Sequence, residues 1–240
     1  MNKLRRNCHL CGGYLKLCVF PQTGTWYCYR CGEWGKIDKL PGEPVRETTR
    51  DTSFEPDDFT RHFHLLGEHG IGRRYLRRRG IDPGPLAPFI GTCDNYIIFP
   101  FWKKGEWEFY VGRKMYGAGL RYKNAAVSVS PLFVPYDCDC EGESLIIVEG
   151  IFDAIRVWQV TNIPTVAILG SGLTHHLVLE IFTHSTENTT IHLLLDPDAI
   201  WKAAGCCSIL SALRKTVNIP LKGKKDPGDL SDDEINGLFY

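Results

Sequence analysis

The stretch Leu145-Ile-Ile-Val-Glu149-Gly-Ile-Phe-Asp153 decides the fold class. Four apolar residues followed by Glu149 and Gly150 are typical of a buried strand that ends in a turn, and apolar residues at helical spacing follow over 152–160. The stretch His192-Leu-Leu-Leu-Asp196 starts a similar unit. Because strands and helices alternate in this way as far as a capping box at Ser231, we predict an α/β domain with a parallel sheet and helices on both faces.

Acidic residues follow the predicted strands at the points where the strands end. Glu149 and Asp153 follow the first, Asp196 and Asp198 follow a later one, and Asp226 lies in a Lys-Asp-Pro-Gly-Asp stretch. The carboxyl ends of parallel strands meet at one edge of a sheet, and carboxylate oxygens are the ligands that magnesium needs. Two such ions can align an attacking oxygen and neutralise a leaving pyrophosphate. The alternative is that these acids are solvated loop residues. That explanation is common for a single aspartate and accounts less well for the whole pattern.

Four cysteines near the start of the chain form two CxxC pairs, Cys8-His-Leu-Cys11 and Cys28-Tyr-Arg-Cys31. This spacing predicts a tetrahedral structural zinc site, because a module this short cannot bury enough apolar surface to fold without a metal. Reduced core thiols are the alternative. Aromatic and basic residues are interleaved around the cysteines, which indicates either a surface that binds single strands or rings that cover a small core.

Composition and charge narrow the class of protein. Of 240 residues, 43% are hydrophobic and 23% charged, which is typical of a globular protein. The net charge is zero, but the chain is basic near its start and has a second basic cluster over 73–79. This separation suits a protein that binds phosphates with one part and metal ions with another. We expect no membrane segment and a cytoplasmic location, since no leader and no apolar run of about 20 residues is found.

Four segments follow from these patterns. We predict a zinc ribbon over 1–40, a linker over 41–56, a basic α+β subdomain over 57–140 and the parallel-sheet domain over 141–240. Within the third segment, Phe63, Leu66 and Leu76 have the spacing of helical faces that end at Gly80. Apolar runs at 96–101 and 107–112 predict strands.

The motifs resemble a known family. Glu149-Gly-Ile-Phe-Asp153 together with Asp196-Pro-Asp198 resembles the TOPRIM signature of topoisomerases, primases and some nucleases. The order of ribbon, linker, basic segment and TOPRIM domain resembles the bacterial and phage DnaG-type primases over nearly the whole chain. Tyr75-Leu-Arg-Arg-Arg-Gly-Ile81 is similar to the YLxxRGI helix end of that family, and Gly112-Arg113 and 120–124 are similar to its GR and KYxN elements.

The resemblance implies roles for individual residues. Glu149 would be the catalytic acid supported by Asp153, and Mg²⁺ or Mn²⁺ would be held by Glu149, Asp196, Asp198 and Asp226. The triphosphate and the template would be bound by Arg113, Arg121 and Lys123. The chain departs from the family pattern at Arg121, where a lysine is usual, and at Pro197, where a glycine is more usual.

The function implied by the resemblance is that of a DNA primase, a DNA-directed RNA polymerase that makes short RNA primers on single-stranded DNA from ribonucleoside triphosphates. The sequence contains no P-loop of the form GxxxxGK[ST], so we expect a separate replicative helicase as partner, in a phage or plasmid replication system. Two alternatives stay open. One is a non-catalytic recombination mediator that binds single-stranded DNA, and the other is a TOPRIM nuclease, since the same carboxylates can activate water.

Overall fold

The chain is represented by a computed structural model that divides into two compact units, Met1–Arg50 and Asp51–Tyr240. The residues that the structure describes are 4–6, 17–20, 25–28, 34–36, 62–67, 70–103, 106–118, 120–125, 131–135, 142–170, 172–221, 223 and 225–239.

The first unit contains a four-stranded antiparallel sheet. Its strands are β1 (Leu4–Arg6), β2 (Leu17–Phe20), β3 (Thr25–Cys28) and β4 (Trp34–Lys36), paired in chain order. Leu17, Cys18, Val19 and Trp26 are buried, so Cys18 belongs to the small core as a free thiol. Three of the cysteines predicted to bind zinc, and the side chain of the fourth, lie outside the described residues, and the zinc site stays a prediction.

The second unit begins with a five-stranded antiparallel sheet and one short helix. The elements are β5 (His64–Leu65), α1 (Ile71–Arg77), β6 (Gly91–Cys93), β7 (Tyr96–Lys103), β8 (Glu106–Lys114) and β9 (Tyr122–Asn124). The strands are ordered β5-β6-β7-β8-β9, and the two predicted apolar runs form the central hairpin β7–β8. A β-bulge at Phe101/Trp102 shifts the register of this hairpin near its tip.

The helical spacing predicted from Phe63 onward is wrong for its first part. Phe63 and Leu66 are not helical, and between them β5 pairs antiparallel with β6. Leu66 is buried, and its N–H donates to the carbonyl of Ile90, so this segment is held by the sheet. The helix starts only at Ile71, and the chain turns at Gly80, whose φ of 68° lies in the region that favours glycine.

The remainder of the second unit alternates strands and helices. Its strands are β10 (Ser144–Val148), β11 (Thr165–Ala167), β12 (Thr190–Leu193) and β13 (Thr216–Asn218). Its helices are α2 (Ile151–Thr161), α3 (His175–Thr183), α4 (Ile200–Ser211) and α5 (Asp232–Asn236). All strand pairs in this sheet are parallel, in the order β11-β10-β12-β13. The predicted α/β class and parallel sheet are therefore confirmed, and the capping box predicted at Ser231 opens α5.

The central strand β10 shows why helices cover both faces of this sheet. Ile146 and Val148 point into a core shared with α2, α5 and the antiparallel sheet, whereas Leu145 and Ile147 point into a second core with α3 and α4. A strand buried on both faces has to be apolar at every position, which explains the continuous run in the sequence. The end of β10, which Glu149 follows, is thus fixed by packed cores on both faces of the sheet.

Two sequence predictions concern regions that the structure does not describe. The linker over 41–56 and the boundary at 140/141 lie outside the described residues and stay predictions. None of the helices in the described part of the chain is long and apolar enough to cross a membrane.

Candidate active site

Two of the predicted acids leave the parallel sheet at the same edge. Glu149 directly follows β10, and Asp196 comes three residues after the last residue of β12. These strands are neighbours, paired in parallel with Ile147 opposite Leu193, so their carboxyl ends lie side by side. Asp198 follows as an exposed residue of the same loop. The structure therefore brings together the acids that the sequence places after these two strands.

Asp153 connects this edge to the loop that carries Asp226. It lies in the first turn of α2, and its Oδ1 accepts a 2.9 Å hydrogen bond from the backbone N–H of Gly228 in the 3₁₀ helix Pro227–Asp229. The pKa of Asp153 is raised to about 6, first by burial and then by the charges of Asp226 and Asp229, while the hydrogen bond from Gly228 opposes the increase. Asp153 therefore sits among other acids as a half-buried structural link.

The close packing around Asp153 depends on two glycines. A Cβ atom at Gly150 would lie 2.5 Å from Asp153 Oδ2, and one at Gly228 would lie 2.5 Å from Asp153 Oδ1. Real Cβ atoms do not approach oxygen so closely, so any larger residue has to displace the Asp153 carboxylate, the loop or the helix. The glycines after Glu149 and after Asp226-Pro227 thus let two chain segments approach one carboxylate.

Asp196 experiences the combined charge of the other acids. Burial and then the charges of Glu149, Asp153, Asp226 and Asp198, in that order, together raise its pKa to about 7. Its Oδ1 is buried and has no hydrogen-bond partner among the described residues. A buried acceptor without a partner is costly and marks a place where a cation or a proton is expected.

Asp226 stands at the exposed side of the same group. The pKa of Asp226 is raised, mainly by partial burial and also by the charges of Asp229 and Asp198. The Arg121 guanidinium opposes this increase. Asp226 therefore links the acidic edge of the parallel sheet to a cation from the antiparallel sheet.

The described residues fit a hard divalent cation. Within the described ranges, no three His, Cys, Asp or Glu side chains form a ready metal cage. The oxygen donors nevertheless converge, as the mutual effects on the pKa of Asp196 show, and its unpartnered Oδ1 supplies a free ligand atom. Mg²⁺ is usually held by one or two carboxylates together with waters and substrate phosphates, so an incomplete cage suits it.

Lys202 is a cation at this site that the sequence analysis does not include. It lies in the first turn of α4, and its Nζ is 2.6 Å from Oε1 of Glu149. The two side chains are 22% and 18% exposed, so the pair is largely shielded from solvent. Glu149 is thus already paired with an ammonium group.

Two arginines are held by one tyrosine beside the acids. The hydroxyl of Tyr75 in α1 accepts hydrogen bonds from Nε of Arg79 at 3.1 Å and from Nε of Arg113 at 3.2 Å. The Arg79 guanidinium also lies 4.7 Å from the ring centre of Phe152, and that of Arg113 lies 4.6 Å from the ring centre of Tyr122. Arg113 is only 6% exposed, and its Nη1 has no hydrogen-bond partner among the described residues. A buried, incompletely paired guanidinium is a suitable site for an anion such as a phosphate.

An open pocket of about 100 Å³ lies where acids and cations meet. Arg79 and Arg121 line it together with Asp153, Asp226 and Asp229. Lys123, by contrast, is next to Tyr122 on β9, so strand alternation directs it to the opposite face of the sheet. It is not among the described residues that line this pocket, and its predicted role in substrate binding stays a prediction.

The residues missed by the sequence analysis had weak signals. Arg79 belongs to the basic cluster and precedes Gly80, but nothing in its spacing sets it apart from its neighbours. For Lys202, the one signal in the sequence is its position four residues after Asp198. Tyr75 belongs to the YLxxRGI-like motif, but the sequence assigns it no role. Its contact with Arg113 joins α1 to β8 and so depends on tertiary packing.

No family model matches the sequence, and no curated protein matches it significantly. Solved structures do match the fold. The Aquifex aeolicus primase, described by its zinc-binding and RNA polymerase domains, matches with a TM-score of 0.56 at 16% identity, over 99% of this chain and 80% of that chain. The RNA polymerase domain of Mycobacterium tuberculosis primase DnaG matches with a TM-score of 0.57 at 15% identity, over 70% of this chain and 74% of that chain.

A DnaG primase catalytic domain bound to single-stranded DNA also matches, with a TM-score of 0.52 at 19% identity, over 66% of this chain and 68% of that chain. Identities this low establish the fold alone. In its fold, this chain is similar to the RNA polymerase domains of DnaG primases.

Proposed function

We propose that this protein is a DNA primase that synthesises short RNA primers on single-stranded DNA from ribonucleoside triphosphates. The observation that carries the proposal is the pocket that Arg79 and Arg121 line together with Asp153 and Asp226, two acids whose charges also act on Asp196. Nucleotidyl transfer needs both kinds of group, because phosphate charge has to be neutralised while an oxygen nucleophile is activated.

The acidic side is suited to holding divalent ions. Glu149, Asp196, Asp198 and Asp226 would hold Mg²⁺ or Mn²⁺, and Asp153 would keep the Asp226 loop in place through its bond with Gly228. When bound, such ions favour the deprotonated 3′ hydroxyl and neutralise the leaving pyrophosphate. The bond formed joins the 3′ oxygen to the α-phosphorus, the bond broken joins that phosphorus to the bridging oxygen of pyrophosphate, and the hydroxyl proton passes to solvent or to a carboxylate.

The basic side is suited to the triphosphate and the template strand. Arg113 presents a buried guanidinium with an unpartnered Nη1, and Tyr75 fixes it together with Arg79. Fixed donors cost less ordering entropy when a phosphate binds. Arg121, whose charge lowers the pKa of Asp226, would complete this surface, and Lys123 would contact the template strand from the opposite face of the sheet.

The solved structures of similar fold support two further parts of the proposal. One of them contains single-stranded DNA, and another includes a zinc-binding domain. We therefore propose single-stranded DNA as the template and a structural zinc ion at Cys8, Cys11, Cys28 and Cys31. A separate replicative helicase in a phage or plasmid system would supply the unwound strand.

The decisive experiment is primer synthesis on single-stranded DNA of varied sequence, with labelled ribonucleotides and Mg²⁺. We expect short RNA products from the wild type, and a loss of at least about 100-fold in Glu149→Gln and Asp196→Asn, since each removes a carboxylate charge from the metal site. Asp94→Asn is the matched control: Asp94 is exposed and has a φ of 51°, which asparagine also adopts. It should keep full activity.

Other outcomes identify the alternatives. Cleavage of labelled DNA without RNA synthesis, abolished by the same two substitutions, would indicate a nuclease. Tight single-strand binding with neither synthesis nor cleavage on any template, and with none after addition of a replicative helicase, would indicate a non-catalytic mediator.

A further inference from the structure

The position of Lys202 is unusual for a lysine. Helix α4 begins without a side-chain cap and has no acid in its first turn, yet it places a cation there. The first turn of a helix carries partial positive charge, so it disfavours a lysine. A compensating partner is required, and Glu149 supplies it at 2.6 Å.

Within the described part of the chain, Lys202 makes the one ion pair with these carboxylates, while the charge of Arg121 lowers the pKa of Asp226. Among the described residues, Asp153, Asp196, Asp198 and Asp226 form no ion pair, and Glu149 forms one, with Lys202. Like charges at this spacing repel one another, as the effect of four neighbouring acids on the pKa of Asp196 indicates. Lys202 is thus the ammonium group that offsets part of this repulsion.

From this geometry we propose that Lys202 is an internal counter-ion of the metal site, which holds Glu149 before a divalent cation binds and must leave that carboxylate when the cation arrives. The inference rests on the proposed function, in which Glu149 is a metal ligand. An ammonium group and a metal ion compete for the same carboxylate oxygens. Lysine suits the exchange because its charge sits on a flexible stem, and the side chain is 22% exposed and can swing toward solvent.

The inference predicts an effect on metal affinity that a merely structural lysine does not produce. Without the competing ammonium, Mn²⁺ should bind about two- to fivefold more tightly, the range expected for loss of a partly shielded ion pair. Lys202→Met and Lys202→Gln should both show this gain, and Lys202→Arg, which keeps the charge, should bind no more tightly than the wild type. The metal-free forms of Lys202→Met and Lys202→Gln should unfold at a lower temperature, because Glu149 is then left without its partner.

The test is direct Mn²⁺ binding to the full chain, measured by electron paramagnetic resonance or calorimetry without nucleotide or DNA. Asp196→Asn must abolish the binding event, which shows that the titration reports this site. Lys215→Gln is the charge-matched control, since Lys215 is an exposed cation at the start of β13, away from the carboxyl ends of the strands. It should change the affinity by less than twofold.

Three results would overturn the inference. Unchanged or weaker Mn²⁺ binding in both Lys202→Met and Lys202→Gln excludes competition, and equal tightening in Lys215→Gln assigns the effect to net charge. Binding that survives Asp196→Asn places the metal elsewhere. Because no RNA is made in this assay, a failed primase reaction with tighter Mn²⁺ binding in the Lys202 variants contradicts only the proposed function. Primer synthesis with unchanged binding contradicts only the role of Lys202.

Discussion

Asp153 Oδ1 accepts a 2.9 Å hydrogen bond from the backbone N–H of Gly228, and this bond ties the start of α2 to the loop of Asp226. The two partners belong to segments far apart in the chain. A carboxylate whose pKa is raised by burial is used here to fix the backbone of the neighbouring loop. The relationship makes the position of Asp226 dependent on a residue that has no side chain.

Gly228→Ala should therefore displace the Asp226 loop. The new Cβ would lie 2.5 Å from Asp153 Oδ1, so either the carboxylate turns away and loses its hydrogen bond to the loop, or the loop moves away from α2. We expect primer synthesis to fall by at least about tenfold and the free energy of unfolding to fall by about 1–2 kcal/mol, the cost typical of overpacking.

Gly205→Ala is the matched control for this change. Gly205 lies within α4, and a Cβ there meets nothing within 4 Å, so alanine should raise stability by about 0.5–1 kcal/mol through helix propensity and leave activity unchanged. Equal activity in Gly228→Ala and the wild type would show that the loop does not need its contact with Asp153.

The meeting of the acids could be predicted from sequence, whereas the cations opposite them could not. Parallel strands bring their carboxyl ends to one edge whatever the side chains are, so Glu149 and Asp196 are expected at the same edge, and the structure makes their strands neighbours. The pairing of Lys202 with Glu149 depends on the rotation of α4 about its axis, and the two hydrogen bonds to Tyr75 depend on how α1 packs on β8. The spacing of Phe63 and Leu66 predicts a helix, but the segment between them is the short strand β5. Backbone pairing with β6 overrides the spacing there.

Tyr75→Phe tests whether one hydroxyl positions both arginines. The ring and its edge contact with Phe152, at 6.0 Å between centroids, are kept, while the acceptor for Nε of Arg79 and Arg113 is lost. We expect KM for ribonucleoside triphosphates to rise about five- to tenfold, equivalent to roughly 1–1.4 kcal/mol, with a smaller change in kcat.

The control is Tyr110→Phe, which removes the hydroxyl of a buried tyrosine in β8 that packs with Cys93 and Ile98. Both variants should lose stability, measured by denaturant unfolding, but only Tyr75→Phe should raise KM. A KM that stays at the wild-type value in Tyr75→Phe would reduce Tyr75 to a packing residue.

The exposed face of α1 should contribute to binding of single-stranded DNA. Arg74 and Arg78 lie one helical turn apart, and together with Ile71, Met115 and Tyr116 they line an apolar pocket. Within the described residues neither arginine forms an ion pair, so both can contact phosphates while a base lies on the apolar floor. In an anisotropy titration over a salt series, Arg74→Ala with Arg78→Ala should reduce the slope of log K against log salt by about 1.4, or roughly 0.7 for each contact.

Tyr116→Ala should weaken the same binding by about tenfold without changing the slope, since it removes a stacking surface and no charge. Lys215→Ala, at an exposed cation of the parallel sheet, should leave both affinity and slope as in the wild type. A slope unaffected by the two arginine substitutions would place the phosphate contacts elsewhere on the protein.

The acidic group should make the metal-free protein less stable as the pH rises. The pKa values of Asp196 and Asp153 are raised to about 7 and about 6, above their value of 3.8 in an unfolded chain. The folded state therefore binds more protons than the unfolded state between about pH 4 and pH 7, and the free energy of unfolding falls as those protons are lost. Thermal unfolding in chelator from pH 5 to pH 8 should show this decline, and Asp196→Asn should flatten it, whereas Asp94→Asn should not.

Adding Mg²⁺ should stabilise the protein more at pH 8 than at pH 5, because the cation binds the deprotonated carboxylates. A decline of the same size in Asp196→Asn and in the wild type would mean that other groups control the pH dependence.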